Sequence, residues 1–414
     1  MQFAAVGGIA VFVGIGWVCS EARHRVEWIS VLSALAAQFV LAILMLHVAP
    51  IRGLFLWLSK GIGAVKLATL AGTGFVFGYA GGAELPFVLR EGGNPFIFAL
   101  QALPMVMVIS ALSMLLFYWN ILPQLVRGTA WLMRRTLRMG GALGVCAAAK
   151  VFLGMTEAPL LIRPYLSKLS RHELFCVMTL GMATTSAAVM VIYASILENT
   201  IESPIRHILT ASCISVPAAV ALSRLLVPPP PDDRQTAGDL AMPFRFNNSM
   251  DAVARGAADG MQMYLNIIPM LIVSLALVSL VNSALGNLMV GELPLSLQRL
   301  LGWVLSPVAL AMGIPWAEAS AAGQLIGTKL ALNEVMAFLD LSRLPPGVLS
   351  AHSRLILAYA LCGFANLGSI GILIGGIGTM VPERRHEIIS MSSRSMLGGA
   401  LSTCMSGTVV GLLS

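Results

Sequence analysis

Apolar residues in this chain come in long runs separated by short charged stretches, without the two-residue alternation of half-buried strands. The runs lie at about 3–19, 30–48, 95–119, 174–195, 207–227, 262–285, 355–380 and 395–413. Each offers roughly 17–25 residues, enough to cross a bilayer as a helix. The segment 124–140 carries arginines on an amphipathic pattern and is expected to lie at an interface. Residues 51–93 are Gly-rich and half-polar and are expected to pack along the outer surface.

Two stretches are too apolar for loops and too interrupted for simple spans. Residues 141–163 contain Lys150 and Glu157, broken by Gly154 and Pro159; residues 313–340 contain Lys329 and Glu334 near a Gly327-Thr328 interruption. Each reads as two short helices meeting at a broken tip, entering and leaving on one side. Irregular backbone at membrane depth is tolerated only where it is buried in protein or lines a cavity. The flanks repeat in order: a span, an amphipathic segment (124–140 or 298–312), a hairpin, then two spans. An odd number of crossings separates the units, so they are inverted relative to each other. Inverted repeats with broken elements at mid-membrane predict an alternating-access transporter.

Composition removes the alternatives. Hydrophobic residues are 57% of the 414 and charged ones 11%, against about 25% charge in ordinary soluble domains. A soluble enzyme is excluded. The net charge of +7 does not indicate nucleic-acid binding, because the basic residues are scattered between apolar runs, where they set topology. The first run precedes the charges of EARHRVE, unlike a cleaved leader, and an outer N-terminus puts sixteen Lys or Arg on the inner side and eight on the outer. Six cysteines sit mostly inside apolar runs without ligand spacing and read as small buried residues. The six histidines lie near segment ends, and no nucleophile–base set suggests a membrane-embedded enzyme. A channel is the other competing class; accumulation of substrate against its gradient would exclude both.

Glu157 and Glu334 occupy equivalent places in the two hairpins. A carboxylate inside hydrocarbon is costly enough to count as functional by default. Carboxylates only accept hydrogen bonds, so a pair converging on one ligand suits a molecule rich in hydroxyl donors; the bland reading is that each pairs with a nearby lysine. Glu318, at the mouth of the second hairpin, is expected to be structural. Asn366, Gly368 and Ser369 interrupt one apolar run, and Thr184, Thr185 and Ser186 another. Such residues either expose polar groups to a ligand or serve as packing contacts.

Five motifs then carry a resemblance: GMTEAPLLIRPY at 154–165, ELFCVMTLGMAT at 173–184, GIPWAEA at 313–319, GTKLALNEVMAF at 327–338 and CGFANLGSI at 362–370. In order and spacing the chain resembles the concentrative nucleoside transporter family along nearly its whole length. The resemblance implies an all-α polytopic fold of eight membrane helices, two re-entrant hairpins and interfacial helices. It also implies an elevator in which a transport domain moves against a trimeric scaffold. It divides the chain into N-terminal helices and outer region (1–94), a scaffold helix with a cytoplasmic interfacial helix (95–140), a first transport repeat (141–227), a cytoplasmic linker (228–261), a second scaffold helix with an outer interfacial helix (262–312), and a second transport repeat (313–414). Glu334, Asn366 and Ser369 would hold the ribose, with Phe364 and Val189 in contact, while Met155, Thr156 and Glu157 would address the base. No organic cofactor or resident metal is expected, and the implied partners are nucleosides, the bilayer and two further copies of the chain in a homotrimer. The implied location is the cell inner membrane, with both termini periplasmic.

Two departures matter. Relatives that couple to sodium usually carry Gln where this chain has Met155, which lacks equivalent hydrogen bonding. They carry Asn, a sodium ligand, where this chain has Lys150; the remaining ion positions correspond to Leu153, Thr184 and Thr185. An ammonium there is incompatible with a neighbouring Na⁺ by like-charge repulsion. Sodium-independent, H⁺-coupled transport is therefore expected, with Lys150, Glu157 and Glu334 available for proton exchange. The alternatives are sodium-independent uniport, Na⁺ symport through an altered site, or a ribosylated substrate other than a standard nucleoside.

Overall fold

The computed structural model describes residues 2–88, 95–137, 139–230, 236, 246–290 and 293–414. It is built almost wholly of helices. The N-terminal part contains α1 (Gln2–Val18), α2 (Trp28–His47) and α3 (Ala49–Phe77). Then come α4 (Met105–Tyr118), entered through a π turn at Phe98–Ala102, and the amphipathic α5 (Ile121–Leu137). The first interrupted region holds α6 (Gly141–Ala149) and the short α7 (Glu157–Leu160), followed by α8 (Arg171–Ala183), α9 (Ala187–Ile196) and α10 (Pro204–Leu226). The second half repeats the order with α11 (Ser249–Leu285), α12 (Leu297–Ala311), α13 (Trp316–Ala331), α14 (Glu334–Arg343), α15 (Ala351–Leu361), α16 (Leu367–Met380) and α17 (Arg385–Leu413). A two-residue ladder, Met289–Val290 with Leu293–Pro294, joins α11 to α12.

Among the described residues, six helical stretches are long and apolar enough to cross a bilayer: Trp28–His47, Phe98–Tyr118, Arg171–Ile196, Pro204–Leu226, Ser249–Leu285 and Pro382–Leu413. The other two expected spans are shorter apolar helices, Val6–Val18 and Leu367–Met380, the latter because its run is broken between α15 and α16. α12 and α13 bend by 116° at their junction, as the mouth of a re-entrant element requires.

Packing separates two groups. α8, α10 and α17 form a buried centre against which α2 and α15 lie. Polar side chains join these helices: Gln38 Nε2 donates to Ser406 Oγ at 3.2 Å, and Ser406 Oγ lies 2.9 Å from Ser215 Oγ. Such interhelical bonds bind where apolar attraction alone is weak. α4 and α11 pack on each other instead. Gly256 and Gly260, four apart on α11, let the backbones meet; a Cβ on Gly260 would lie 2.5 Å from Met107 Cα, and one on Gly256 2.6 Å from Ala111 Cα.

Residues 49–77, which include the first part of the stretch expected to pack along the outer surface, form one helix of 29 residues. Pro50 sits in its first turn, where a missing N–H costs nothing, and no proline follows before Pro86. The second tip falls at Leu332–Asn333, not at Gly327-Thr328, which lies inside α13. Gly327 serves close packing, since a Cβ there would meet Leu301 Cβ at 2.4 Å. The linker ends earlier than expected: Asn248 caps α11 by accepting from Asp251 N at 2.9 Å, so 249–261 is helix. The last helix likewise begins at Arg385 rather than near 395. The linker's 231–235 and 237–245, and Arg90 and Arg138 of the charge count, lie outside the described residues.

Candidate functional site

A cavity of about 530 Å³ lies between the two tips, the breaks of two helices and the α4–α11 pair. That volume is in the range of pockets that enclose small ligands, about 300–1,000 Å³. Met155, Thr156, Glu157, Val189, Glu334, Phe364, Asn366 and Ser369 all line it.

In the second half, capping builds the site. Asn333 Oδ1 accepts from Met336 N at 2.9 Å and starts α14, placing Glu334 in its first turn. Asn366 Oδ1 accepts from Ser369 N at 2.8 Å and starts α16. With its oxygen committed to the cap, the Asn366 amide nitrogen points the other way and donates to Glu334 Oε2 at 2.8 Å. Tyr193 of α9 donates its hydroxyl to Glu334 Oε1 at 2.8 Å and packs its ring 4.6 Å from Phe338. Each carboxylate oxygen keeps a lone pair for a ligand donor.

In the first half, Glu157 Oε2 accepts from Gly154 N at 3.0 Å, and Ala187 N at the start of α9 donates to Phe152 O at 3.1 Å. The tip is thereby seated on α9. A Cβ on Gly376 of α16 would lie 2.2 Å from Thr156 Cγ2, so the tip also rests on the other repeat. Neither hairpin carboxylate forms an ion pair with its hairpin lysine. Lys329 Nζ donates to Ala360 O at 2.7 Å and Thr403 Oγ1 at 2.8 Å, placing its charge at the C-terminal end of α15, where a cation is favoured. Lys150 is fully buried, and its ammonium has no hydrogen-bond partner. It lies beside Gly181, 3.7 Å from where a Cβ on that residue would sit. Thr184, one turn further on, donates its hydroxyl to Leu180 O at 2.8 Å; Thr185 Oγ1 is 3.7 Å from Cys362 Sγ, and Leu153 is buried. Lys150 therefore faces the end of α8 without bonding the Thr184 hydroxyl. Glu318 accepts from Ser350 N and Oγ at 3.2 Å, away from the cavity.

Residues 7–80 match the family description Na+ dependent nucleoside transporter N-terminus, 99–200 match Nucleoside recognition, and 207–411 match Na+ dependent nucleoside transporter C-terminus. The chain is 34% identical to nucleoside permease NupC of Helicobacter pylori, over 99% of this chain and 97% of that one. It is 32% identical to human solute carrier family 28 member 3 over its whole length, which covers 60% of the human protein. CNTnw in an inward-facing substrate-bound state superposes with a TM-score of 0.90 at 33% identity, covering 99% of this chain and 98% of that one. The chain belongs to the concentrative nucleoside transporter family. It is a multi-pass membrane transporter of the elevator-type fold and not an enzyme.

One wall of the transporter's cavity is not among the residues expected from the sequence. Asp259, Gln262, Met263, Asn266, Ile267 and Leu271 of α11 line it, with Met114 of α4. The spacing of Asp259, Gln262 and Asn266 by three and four residues is that of one helix face and was the available signal. Asp259 falls in the expected linker, and Gln262 and Asn266 fall at the start of the expected span 262–285, where the face they share is set by packing. Ser186 also lines the cavity, and its hydroxyl is buried without a partner.

Proposed function

We propose that this transporter imports nucleosides across the cell inner membrane by alternating access, with sodium-independent coupling to protons. The observation that carries the nucleoside reading is the convergence of eight residues, matched one by one to the family's substrate positions, on a single cavity. Glu334, with Asn366 and Ser369, accepts and donates to the ribose hydroxyls. Phe364 and Val189 supply apolar contact, and Met155, Thr156 and Glu157 face the base. α4 and α11, with α5 and α12, belong to the scaffold of a homotrimer, and the hairpins with α8–α10 and α14–α17 to the moving part. Both termini face the periplasm. Uptake of labelled uridine and adenosine into proteoliposomes tests this reading. Saturable uptake competed by unlabelled nucleosides is expected, and no uptake of any nucleoside would overturn it.

Coupling rests on Lys150. The family's other ion positions correspond to Leu153, Thr184 and Thr185, but a buried ammonium stands beside the end of α8 where a coordinating amide would be. A donor-only cation does not fit a sodium site. The sodium dependence in the names of relatives such as human sodium/nucleoside cotransporter 1, 32% identical, is therefore not carried over. In this reading the Lys150 ammonium stands in for the ion in one conformation and gives up its proton in another, with the buried carboxylates sharing in the exchange. Equilibrium nucleoside affinity should be the same in sodium and choline buffers; sodium-dependent tightening would contradict the assignment.

A further inference from the structure

Resting on the nucleoside reading, we infer that Gln262 and Asn266 of α11 form a base-reading wall opposite the first hairpin. The first hairpin turns Met155 toward the cavity, a thioether that offers apolar contact and only weak acceptance. Polar groups stand on α11, which lines the same cavity. Gln262 and Asn266 are four apart, one turn of α11, and both line the cavity. An amide both donates and accepts, as the edge of a nucleobase does, so two amides can satisfy mixed donor and acceptor groups that a carboxylate cannot.

Packing fixes their direction. Gly256 and Gly260 are pressed backbone-to-backbone on α4, so α11 cannot rotate without separating the pair. With the glycines against α4, the neighbouring face carrying Asp259, Gln262 and Asn266 is held toward the cavity. The same stretch lies on the base side rather than the ribose side. A second, smaller cleft is lined jointly by Met263 of α11 and by Phe152, Leu153, Glu157 and Ser186 around the first tip. The ribose-facing Glu334, Asn366 and Ser369 belong to the opposite hairpin and its broken helix.

Gln262→Met and Asn266→Leu remove the amides and keep helix-compatible side chains. Binding of uridine, cytidine, adenosine, inosine and methyl riboside, a base-free probe, is measured by calorimetry on purified full-length wild type and variants. Each substitution should weaken the nucleosides whose base it reads by about three- to tenfold, the size of one lost hydrogen bond. It should flatten their ranking and leave methyl riboside unchanged. Retained riboside binding also shows that the variants are folded. Unchanged affinities and ranking in both variants overturn the inference alone, as does an equal loss for riboside and nucleosides. Wild-type protein that binds no nucleoside overturns the nucleoside reading and this inference with it.

Discussion

At the scale of single residues, the site is organised around acceptors whose partners are already arranged. Glu334 receives Tyr193 and Asn366 and stays open to a ligand. In Glu334→Gln the charge is lost and an amide nitrogen replaces one acceptor oxygen; turned toward Tyr193 it makes that hydroxyl accept instead of donate, and one acceptor for ribose is lost. Hydrogen bonds to charged groups contribute about 1.5–3 kcal/mol each. Ribonucleoside affinity should fall at least about tenfold on that scale, while the protein stays folded and monodisperse; calorimetric titration checks it, and wild-type affinity would remove Glu334 from the site. Both carboxylates were legible in the sequence because a charge in an apolar run demands a reason. Val189 and Phe364 were not, since an apolar residue in an apolar run has no signature; they came from the motif resemblance. Ser186 was marked by the small polar run in which it stands, whereas the Gln262–Asn266 pair depends on which way a helix face turns, which packing determines.

At the scale of elements, breaks and close approaches carry the design. The tips at Lys150–Thr156 and Leu332–Asn333 and the breaks at Thr184–Ser186 and Cys362–Asn366 free helix ends to meet in one cavity. Their existence was legible from small polar residues in apolar runs. Their positions were set by caps: Asn333, not Gly327, marks the second tip, because an interior glycine costs a helix only about 1 kcal/mol and here admits Leu301. The α4–α11 crossing is a sharper case. In Gly260→Leu the added side chain meets the Met107 backbone, and overpacking of this kind costs about 1–3 kcal/mol. The variant should show a lower thermal midpoint and weaker nucleoside binding, because the cavity wall turns with α11. A midpoint and affinity equal to wild type would show that the crossing is not close-packed.

At the scale of the molecule, distant parts of the chain are tied together outside the hydrocarbon as well as within it. Arg171, at the start of α8, donates to Glu21 at 2.8 and 3.2 Å; Arg394 of α17 also bonds Glu21. Arg171 lies 3.5 Å from Glu387, which Arg384 holds at 2.7 Å. The hydrogen bond from Arg171, with the charges of both arginines, holds the Glu21 carboxyl below its ordinary value. Its contribution is thus present above the ordinary carboxylate range and lost as pH falls through the lowered value. Glu21→Gln should lower the thermal midpoint at neutral pH, and the gap to wild type should close on acidification; a gap independent of pH would assign the effect to shape rather than charge. The inverted order of the halves was legible from the repeated sequence of elements, whereas α3 was hidden by its glycines. Uptake into proteoliposomes under separately imposed Na⁺ and H⁺ gradients decides whether Lys150 takes the place of a sodium ion. Nucleoside accumulation should follow an inward H⁺ gradient and be indifferent to replacing Na⁺ by K⁺ or choline. Accumulation driven by a Na⁺ gradient at fixed pH, and abolished by that replacement, would contradict it.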